Sequence, residues 1–337
     1  MNSFGRHFIC TTFGESHGVA IGVIIDGCPP RVPLTEKDIQ PFLDRRRPGT
    51  GDLVTPRKEP DTVEILSGVF EGYTTGTPIA LLIQNTGQHS ADYEYLRHSF
   101  RPGHADRGYH EKYGWRDHRG GGRSSGRETA ARVAAGAVAA IILSHHGITI
   151  SGRICEIHGV LDPARFDEII RTAQDSGDSV GGIVEVVAAG CPAGLGDPVF
   201  LKLDAYIAMA LMSIGAVKGV EIGDGFTAAR KLGSENNDQM RKEGYLSNHA
   251  GGILGGISTG QDIIAHIAVK PTPSIETDQL TVTDDKKDAT ISVRGRHDPC
   301  IALRIVPVAE AMMALVIIDT LLSRNRYPPY PKIPLGQ

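Results

Sequence analysis

The sequence is poor in the features that mark several protein classes. It has one Trp and 6% aromatic residues, too few to interleave stacking platforms with basic charge. Its formal net charge is −4 and its pI about 6.4, which argues against a general nucleic-acid binder. Five cysteines, Cys10, Cys28, Cys155, Cys191 and Cys300, are odd in number and scattered. They suggest no disulfide framework and read as reduced, mostly buried thiols of a cytoplasmic protein. No apolar run reads as approaching the roughly 18 residues that span a bilayer, and the first residues, MNSFGRHFICTTFG, lack a signal-peptide core. There is no GxGxxG after a first strand, no Walker lysine, no HExxH and no cysteine-rich ligand spacing. A dinucleotide fold, a P-loop and the familiar zinc centres are therefore not indicated. No repeat and no clear linker divides the chain.

What the chain has instead is glycine, 41 residues of it, and one basic island. Residues 101–132 hold seven arginines, seven glycines and three histidines, with Lys112 and only four acids, Asp106, Glu111, Asp117 and Glu128. A local surplus of positive charge on an acidic protein suits a small polyanionic ligand. At the end of the island, Gly120, Gly121 and Gly122 allow close backbone approach. Arg123, Ser124 and Ser125 then lead into an alanine-rich helix. Ser125 and Glu128 have capping-box spacing, so the helix should start near Gly126. Helix N–H groups, two hydroxyls and Arg123 would then form a phosphate site. The same string also reads as a capped helix after a flexible loop.

Other stretches carry similar alternatives. Residues 7–13 and 19–26 read as a β-hairpin whose tip carries Ser16 and His17. His17 is either a solvated turn histidine or a proton donor aimed by a rigid base. Thr35 caps a helix that contains Pro41 and ends in Arg45, Arg46 and Arg47. Those arginines match the helix dipole or, with Pro48-Gly49-Thr50-Gly51, form an anion clamp on a mobile loop. Residues 62–71 and 78–85 look like a second strand pair. From 86 to 118 apolar periodicity vanishes, as in a functional loop. The methionines of DAYIAMALMSIG read as core. A second glycine-rich stretch, 247–260, precedes a strand ending at Lys270-Pro271-Thr272-Pro273-Ser274, which is either a Pro-rich turn or a rigid polar edge. Arg294, Arg296, His297 and Asp298 follow a strand. A long apolar helix from Val306 and a proline-rich arm, 326–337, end the chain. The alternation lacks a βαβ rhythm, so the expectation is one α+β domain over 1–325, with antiparallel sheets packed on a helical layer.

Six strings in order, FGESHG at 13–18, DRRRPGTG at 44–51, RPGHAD at 101–106, GGGRSSGRE at 120–128, SNHAGGILGGIS at 247–258 and GRHDPC at 295–300, resemble chorismate synthase. The resemblance runs from about residue 4 to about residue 325. It implies a lyase that converts 5-enolpyruvylshikimate 3-phosphate to chorismate by anti-1,4-elimination of phosphate. It further implies a requirement for reduced FMN, a β-α-β sandwich and a homotetramer. By the same resemblance His17 is the acid for the departing phosphate, His104 stands beside the flavin, and Asp298 relays a proton. Arg123, Ser124, Ser125, Gly215, Ala216, Gly255, Lys270, Pro271, Thr272, Pro273, Ser274 and Arg296 match flavin-binding positions. Ser16, Arg46 and Arg132 match substrate-binding positions. No reductase domain is apparent, so an external flavin reductase is expected. NADP comes with the family, but Asp52 stands where some relatives carry a basic residue, which argues against a nicotinamide contact there. Gly126, Arg107, His110 and Gly215 also depart from the family's usual residues. A nucleic-acid or polyphosphate module and a histidine-dependent phosphate-ester hydrolase are the competing readings.

Overall fold

Alternating apolar side chains build two antiparallel sheets, each with one face turned inward. The computed structural model describes residues 1–47, 59–87, 90–293 and 297–324, with side chains for all of these except 90–92. The expected loop Pro48 to Gly51, Asp52, Arg294, Arg296 and the arm 326–337 lie outside the described residues. The first sheet comprises β1 (Ser3–Phe4), β2 (Ile9–Gly14), β3 (Ala20–Asp26), β4 (Val63–Ser67) and β5 (Ile79–Gln84), in the order β1-β2-β3-β5-β4. Its inner face is set by register: Ile21 opposes Ile83, Val23 opposes Leu81 and Ile25 opposes Ile79. All six are essentially inaccessible to solvent.

The second sheet comprises β6 (Thr149–Ile157), β7 (Gly182–Ala189), β8 (Val217–Ile222) and β9 (Ile263–Val269), in the order β8-β9-β7-β6. Here Ile263 opposes Ala188, Ala265 opposes Val186 and Ile267 opposes Val184 on the buried face. The helices between the sheets are α1 (Glu36–Arg46), α3 (Thr129–Ser144) and the terminal α6 (Ala302–Arg324). The other α-helices of eight residues or more among the described residues are α2 (Asp106–Tyr113), α4 (Phe166–Asp175) and α5 (Leu203–Met212). Helix α3 rests on the first sheet, α6 on the second, and the two cross each other. The fold is thus α+β, a sheet-helix-sheet sandwich, as the pattern led us to expect.

Four expectations are corrected. The apolar run of α6 is long enough to cross a membrane by length and composition, with a mean hydropathy of 2.1, but 78% of that window is buried inside the protein. The helix also begins at Ala302, one turn before Val306, because Pro307 is accommodated inside it. Met209 and Met212 of α5 are exposed, and the core is filled by Leu203, Ile207, Ala210 and Leu211 instead. The polar stretch 86–118 contains a 3-10 turn, Ser90–Leu96, and helix α2. It docks on a ribbon of β10 (Gln279–Val282) and β11 (Asp288–Ile291), where Leu96, Ile291 and Val293 form a small second core. The N-terminal segment is fixed by Asp319 of α6, whose carboxylate accepts the backbone N–H groups of Arg6, His7 and Phe8 at 2.6–2.8 Å.

Helices α3 and α6 cross closely because Gly136 has no side chain. A Cβ there would lie 2.3 Å from the Cβ of Ala311. Alanine is the better helix former by about 1 kcal/mol, yet overpacking at a closed crossing costs ~1–3 kcal/mol. Gly136→Ala is therefore expected to lower the denaturation midpoint. A raised midpoint in urea titration would show that the crossing is looser than described.

Candidate active site

The β2–β3 hairpin folds its tip inward. Asn85 holds the turn by donating to the carbonyls of Glu15 and Gly18 at 3.0 and 2.9 Å. Ser16 and His17 are left 1% and 5% exposed, so the solvated reading of His17 is excluded. The His17 ring meets Tyr93 edge-on at 5.1 Å. A Cβ on Gly120 would lie 2.6 Å from His17 Nε2, and one on Gly121 would lie 2.8 Å from His104 Cε1. Both glycines have positive φ. One short glycine loop therefore backs both candidate imidazoles, and any larger residue would displace one of them.

His104 is oriented by a pair that the basic island conceals. Arg101 grips Asp106 with Nε at 2.7 Å and Nη2 at 3.0 Å, a bidentate geometry. His104 Nδ1 lies 2.9 Å from Asp106 Oδ1 and 3.1 Å from Arg101 Nη2. Burial pushes the His104 pKa down, with Asp106 opposing and Arg101 assisting. Burial alone would raise the Asp106 carboxyl, but hydrogen bonds from His104 and Arg101 hold it well below the usual carboxylate range.

Behind the glycine loop sits a buried ion network. Asp61, fully buried, accepts Arg46 Nη1 at 2.7 Å on one oxygen and Arg127 on the other. Arg46 also donates to Thr129 Oγ1 at 3.0 Å and to the Gly126 carbonyl at 3.1 Å. Arg127 reaches Glu59 at 2.9 Å and Asn85 Oδ1 at 2.9 Å. Burial pushes the Arg46 pKa down to about 10, with Asp61 opposing.

The start of α3 differs from expectation. Gly126–Glu128 form a 3-10 turn and the α-helix begins at Thr129. Ser125 Oγ accepts Arg127 N–H at 3.3 Å, but Glu128 binds Arg132 at 3.0 Å rather than closing a capping box. Arg132 donates its remaining capacity to Ser213 Oγ at 2.7 Å. Ser124 Oγ donates to the Gly121 carbonyl at 2.7 Å. Arg123 turns to β2, where it donates to Thr12 Oγ1 at 2.7 Å and to the Gly14 carbonyl at 3.2 Å.

The opposite wall comes from the second sheet and the turn before α6. Gly215 and Ala216 lead into β8, and Ala216 has φ +74°, an uncommon conformation for alanine. Lys270 donates its Nζ to the Gly103 carbonyl and its backbone N–H to Ala216 O at 2.9 Å. Burial lowers the Lys270 pKa, and neighbouring Lys218 adds to it. Ser274 lies 3.5 Å from Arg101 Nη1. Asp298 accepts Arg304 Nη1 at 2.7 Å. The Thr272 hydroxyl and His297 Nε2 are buried without a hydrogen-bond partner.

These elements enclose a cavity of about 680 Å³, within the range of about 300–1,000 Å³ usual for small-molecule sites. Among the described residues, eight Arg or Lys line it against three carboxylates, Glu59, Glu128 and Asp298. His104, Asp298, Arg46, Arg123, Ser124, Ser125, Arg132, Gly215, Ala216, Lys270, Thr272, Pro273 and Ser274 line it together. Ser16 and His17 sit just behind Gly120. Pro271 and Gly255 are not among the lining residues; Gly255 lies on the hairpin of Ile253–Leu254 and Ile257–Ser258. Asp61, Arg127, Lys218 and Arg304 were assigned no role from the sequence. Arg127, inside GGGRSSGRE, and Arg101, inside RPGHAD, stood in strings that could have drawn attention.

The chorismate synthase family model matches residues 8–322. Among solved structures, a crystal structure of chorismate synthase is 33% identical and superposes with a TM-score of 0.75. The match covers 95% of this chain and 93% of that one.

Two outcomes follow from the buried charged and titratable groups. Asp61→Asn leaves buried guanidinium charge uncompensated and is expected to destabilise the fold by ~3–5 kcal/mol; a change within 1 kcal/mol in urea titration would remove Asp61 from its central place. His297 is held at about 4, against the usual 6.5, chiefly by burial and then by Arg101. Between those values the unfolded chain binds more protons than the native one. Its contribution is complete above about 6.5 and is lost on acidification, at up to ~1.4 kcal/mol per pH unit. Unfolding titrations between pH 6.5 and 5 should show a shallower loss for His297→Leu; an unchanged slope would mean that the imidazole is not neutral in the fold.

Proposed function

The chain belongs to the chorismate synthase family, a lyase family of the route to the aromatic amino acids. From that premise we propose that it converts 5-enolpyruvylshikimate 3-phosphate to chorismate, with FMN bound in reduced form. The observation that carries the reading is the cavity's surplus of positive charge, with His104 on its wall and His17 buried behind the same glycine loop. The substrate's phosphate and two carboxylates match that surplus. The cavity also fits a flavin. It has the volume, a wall without Cβ atoms at Gly120 and Gly215, and two unspent polar groups, Thr272 Oγ1 and His297 Nε2.

Reduced FMN, when bound, supplies an electron-rich centre that lets a weakly acidic C–H bond break as phosphate departs. The chain's own groups do the rest. His17 donates a proton to the leaving phosphate from a position fixed by Gly120 and Tyr93. His104 is oriented by Asp106 through Nδ1; an anion set against its ring raises its pKa, so proton uptake accompanies binding. Asp298, aligned by Arg304, takes up a proton at its carboxylate. Arg101, Lys218 and Lys270 offset the charge of the ligands. The Arg296 contribution belongs to the same proposal, as do the homotetramer, the cytoplasmic location and an external flavin reductase.

The test is anaerobic. The protein is mixed with FMN, dithionite and 5-enolpyruvylshikimate 3-phosphate, and chorismate absorbance and phosphate are followed together. Equal release of both, only with reduced flavin, is expected. Phosphate release without flavin would make the protein a hydrolase instead. His17→Ala is expected to cut turnover by ~10²–10⁴-fold with FMN affinity within a few-fold; unchanged turnover would remove His17 from the mechanism.

A further inference from the structure

The second sheet has an outer face, turned away from the helices, that the proposed reaction does not use. Three potential ligands meet there on adjacent strands. Glu185 of β7 is the register partner of His266 of β9, and Arg153 of β6 is the register partner of Glu185. The β6 register shifts between Ile154 and Glu156, and the extra residue in that bulge is Cys155. A bulge re-aims a side chain, and this one brings the Cys155 thiol to the other two. One ligand atom each from Cys155, Glu185 and His266 all lie within 4.8 Å of one another. Glu185 Oε2 and His266 Nε2 are 3.1 Å apart. All three side chains are half-buried.

We propose that Cys155, Glu185 and His266 form a three-ligand site for a borderline-soft divalent cation, of which Zn²⁺ is the fitting member. Sulfur, imidazole nitrogen and carboxylate oxygen are the donors zinc takes, and three protein ligands leave a fourth position for water. With bond lengths of about 2.0–2.3 Å, tetrahedral donors stand roughly 3.3–3.7 Å apart, so small rotamer changes close the present spacing. Calcium and magnesium are disfavoured by the thiol and the imidazole. Charge also fits: one thiolate and one carboxylate neutralise a divalent ion. Arg153 holds Glu185 Oε1 at 2.6 Å and leaves Oε2 for the metal.

The thiol carries its proton in the absence of an ion, because burial and then the Glu185 carboxylate push its pKa up. Binding therefore breaks the S–H bond, forms a metal–sulfur bond and releases one proton to solvent, with no change of oxidation state. The other four cysteines are buried, so a thiolate signal identifies Cys155. None of the three ligands lines the cavity. The site clips β6, β7 and β9 together and does not depend on the proposed reaction.

The experiment uses the full-length untagged chain, stripped with a chelator and titrated with Co²⁺. Expected are one equivalent bound, a thiolate-to-cobalt charge-transfer band in the near ultraviolet, about one proton released per ion and displacement by Zn²⁺. Cys155→Ser should abolish the band, and His266→Gln should weaken binding by at least ~10-fold. Arg153→Gln, which removes the competing guanidinium, should tighten it. Absence of the band in the native protein overturns the site. So does a band that survives Cys155→Ser, or an affinity indifferent to His266→Gln.

Discussion

The Asp61 carboxylate is the constraint on which the rest of the site depends. It is wholly buried between two guanidinium groups, Arg46 at the end of α1 and Arg127 in the turn before α3. Two buried cations without it would be prohibitive, because desolvation outweighs whatever else the arginines touch. With it, the end of α1, the segment before β4 and the start of α3 are locked to one another. Arg46 extends the lock to Thr129 and the Gly126 carbonyl. Its own backbone oxygen accepts Arg304 Nε at 3.3 Å, and Arg304 in turn holds Asp298. A single carboxylate thus transmits position from the first sheet to the turn before α6. Asp61 also has φ +48°, an uncommon conformation for a non-glycine residue that the surrounding contacts hold in place.

The glycine loop is the second constraint, and it acts by what it omits. Gly120 and Gly121 lie under His17 and His104 at distances that no Cβ could occupy. The two imidazoles come from different parts of the chain, a hairpin tip and the approach to α2. Only a backbone without side chains lets them converge on one loop. Their electrostatic settings are supplied separately. His104 rests on the Arg101–Asp106 pair, while His17 rests on Gly120 and Tyr93.

Much of the fold was legible because local chemistry and tertiary structure agree. Thr35 and Asp38 cap α1 through the Thr35 N–H at 2.8 Å, and the apolar alternation of β3, β5, β7 and β9 is the alternation of buried positions. The site was legible only as an inventory of residues. Ser125 and Glu128 have the spacing of a capping box, yet Glu128 turns to Arg132, because a nearby guanidinium outcompetes a backbone N–H. Val306-Pro307 looks like a helix start, since proline favours the first turn, whereas tertiary packing carries α6 a turn further back. Asp61 sits in a string, EPDT, that announces nothing. Cys155, Glu185 and His266 are separated by 30 and 81 residues, so only the sheet register brings them together.

The arginine-rich island prompted the idea of a polyanionic ligand, but the structure divides the labour. Arg46, Arg123, Arg127 and Arg132 have their donors engaged by carboxylates, hydroxyls and carbonyls of the protein. Asp61 and Asp106 stand behind the lining and offset two of the five surplus charges among its described residues. What remains is a field rather than a set of empty forks. It is concentrated where Lys218 and Lys270 lie near each other and where Thr272 Oγ1 and His297 Nε2 are still unspent. A field of that kind attracts an anion from a distance and is screened by salt. The unspent hydrogen-bonding groups then set orientation at contact range. The arginines hold the walls in place, and the ligand is left to a smaller set of groups that the charge count alone does not reveal.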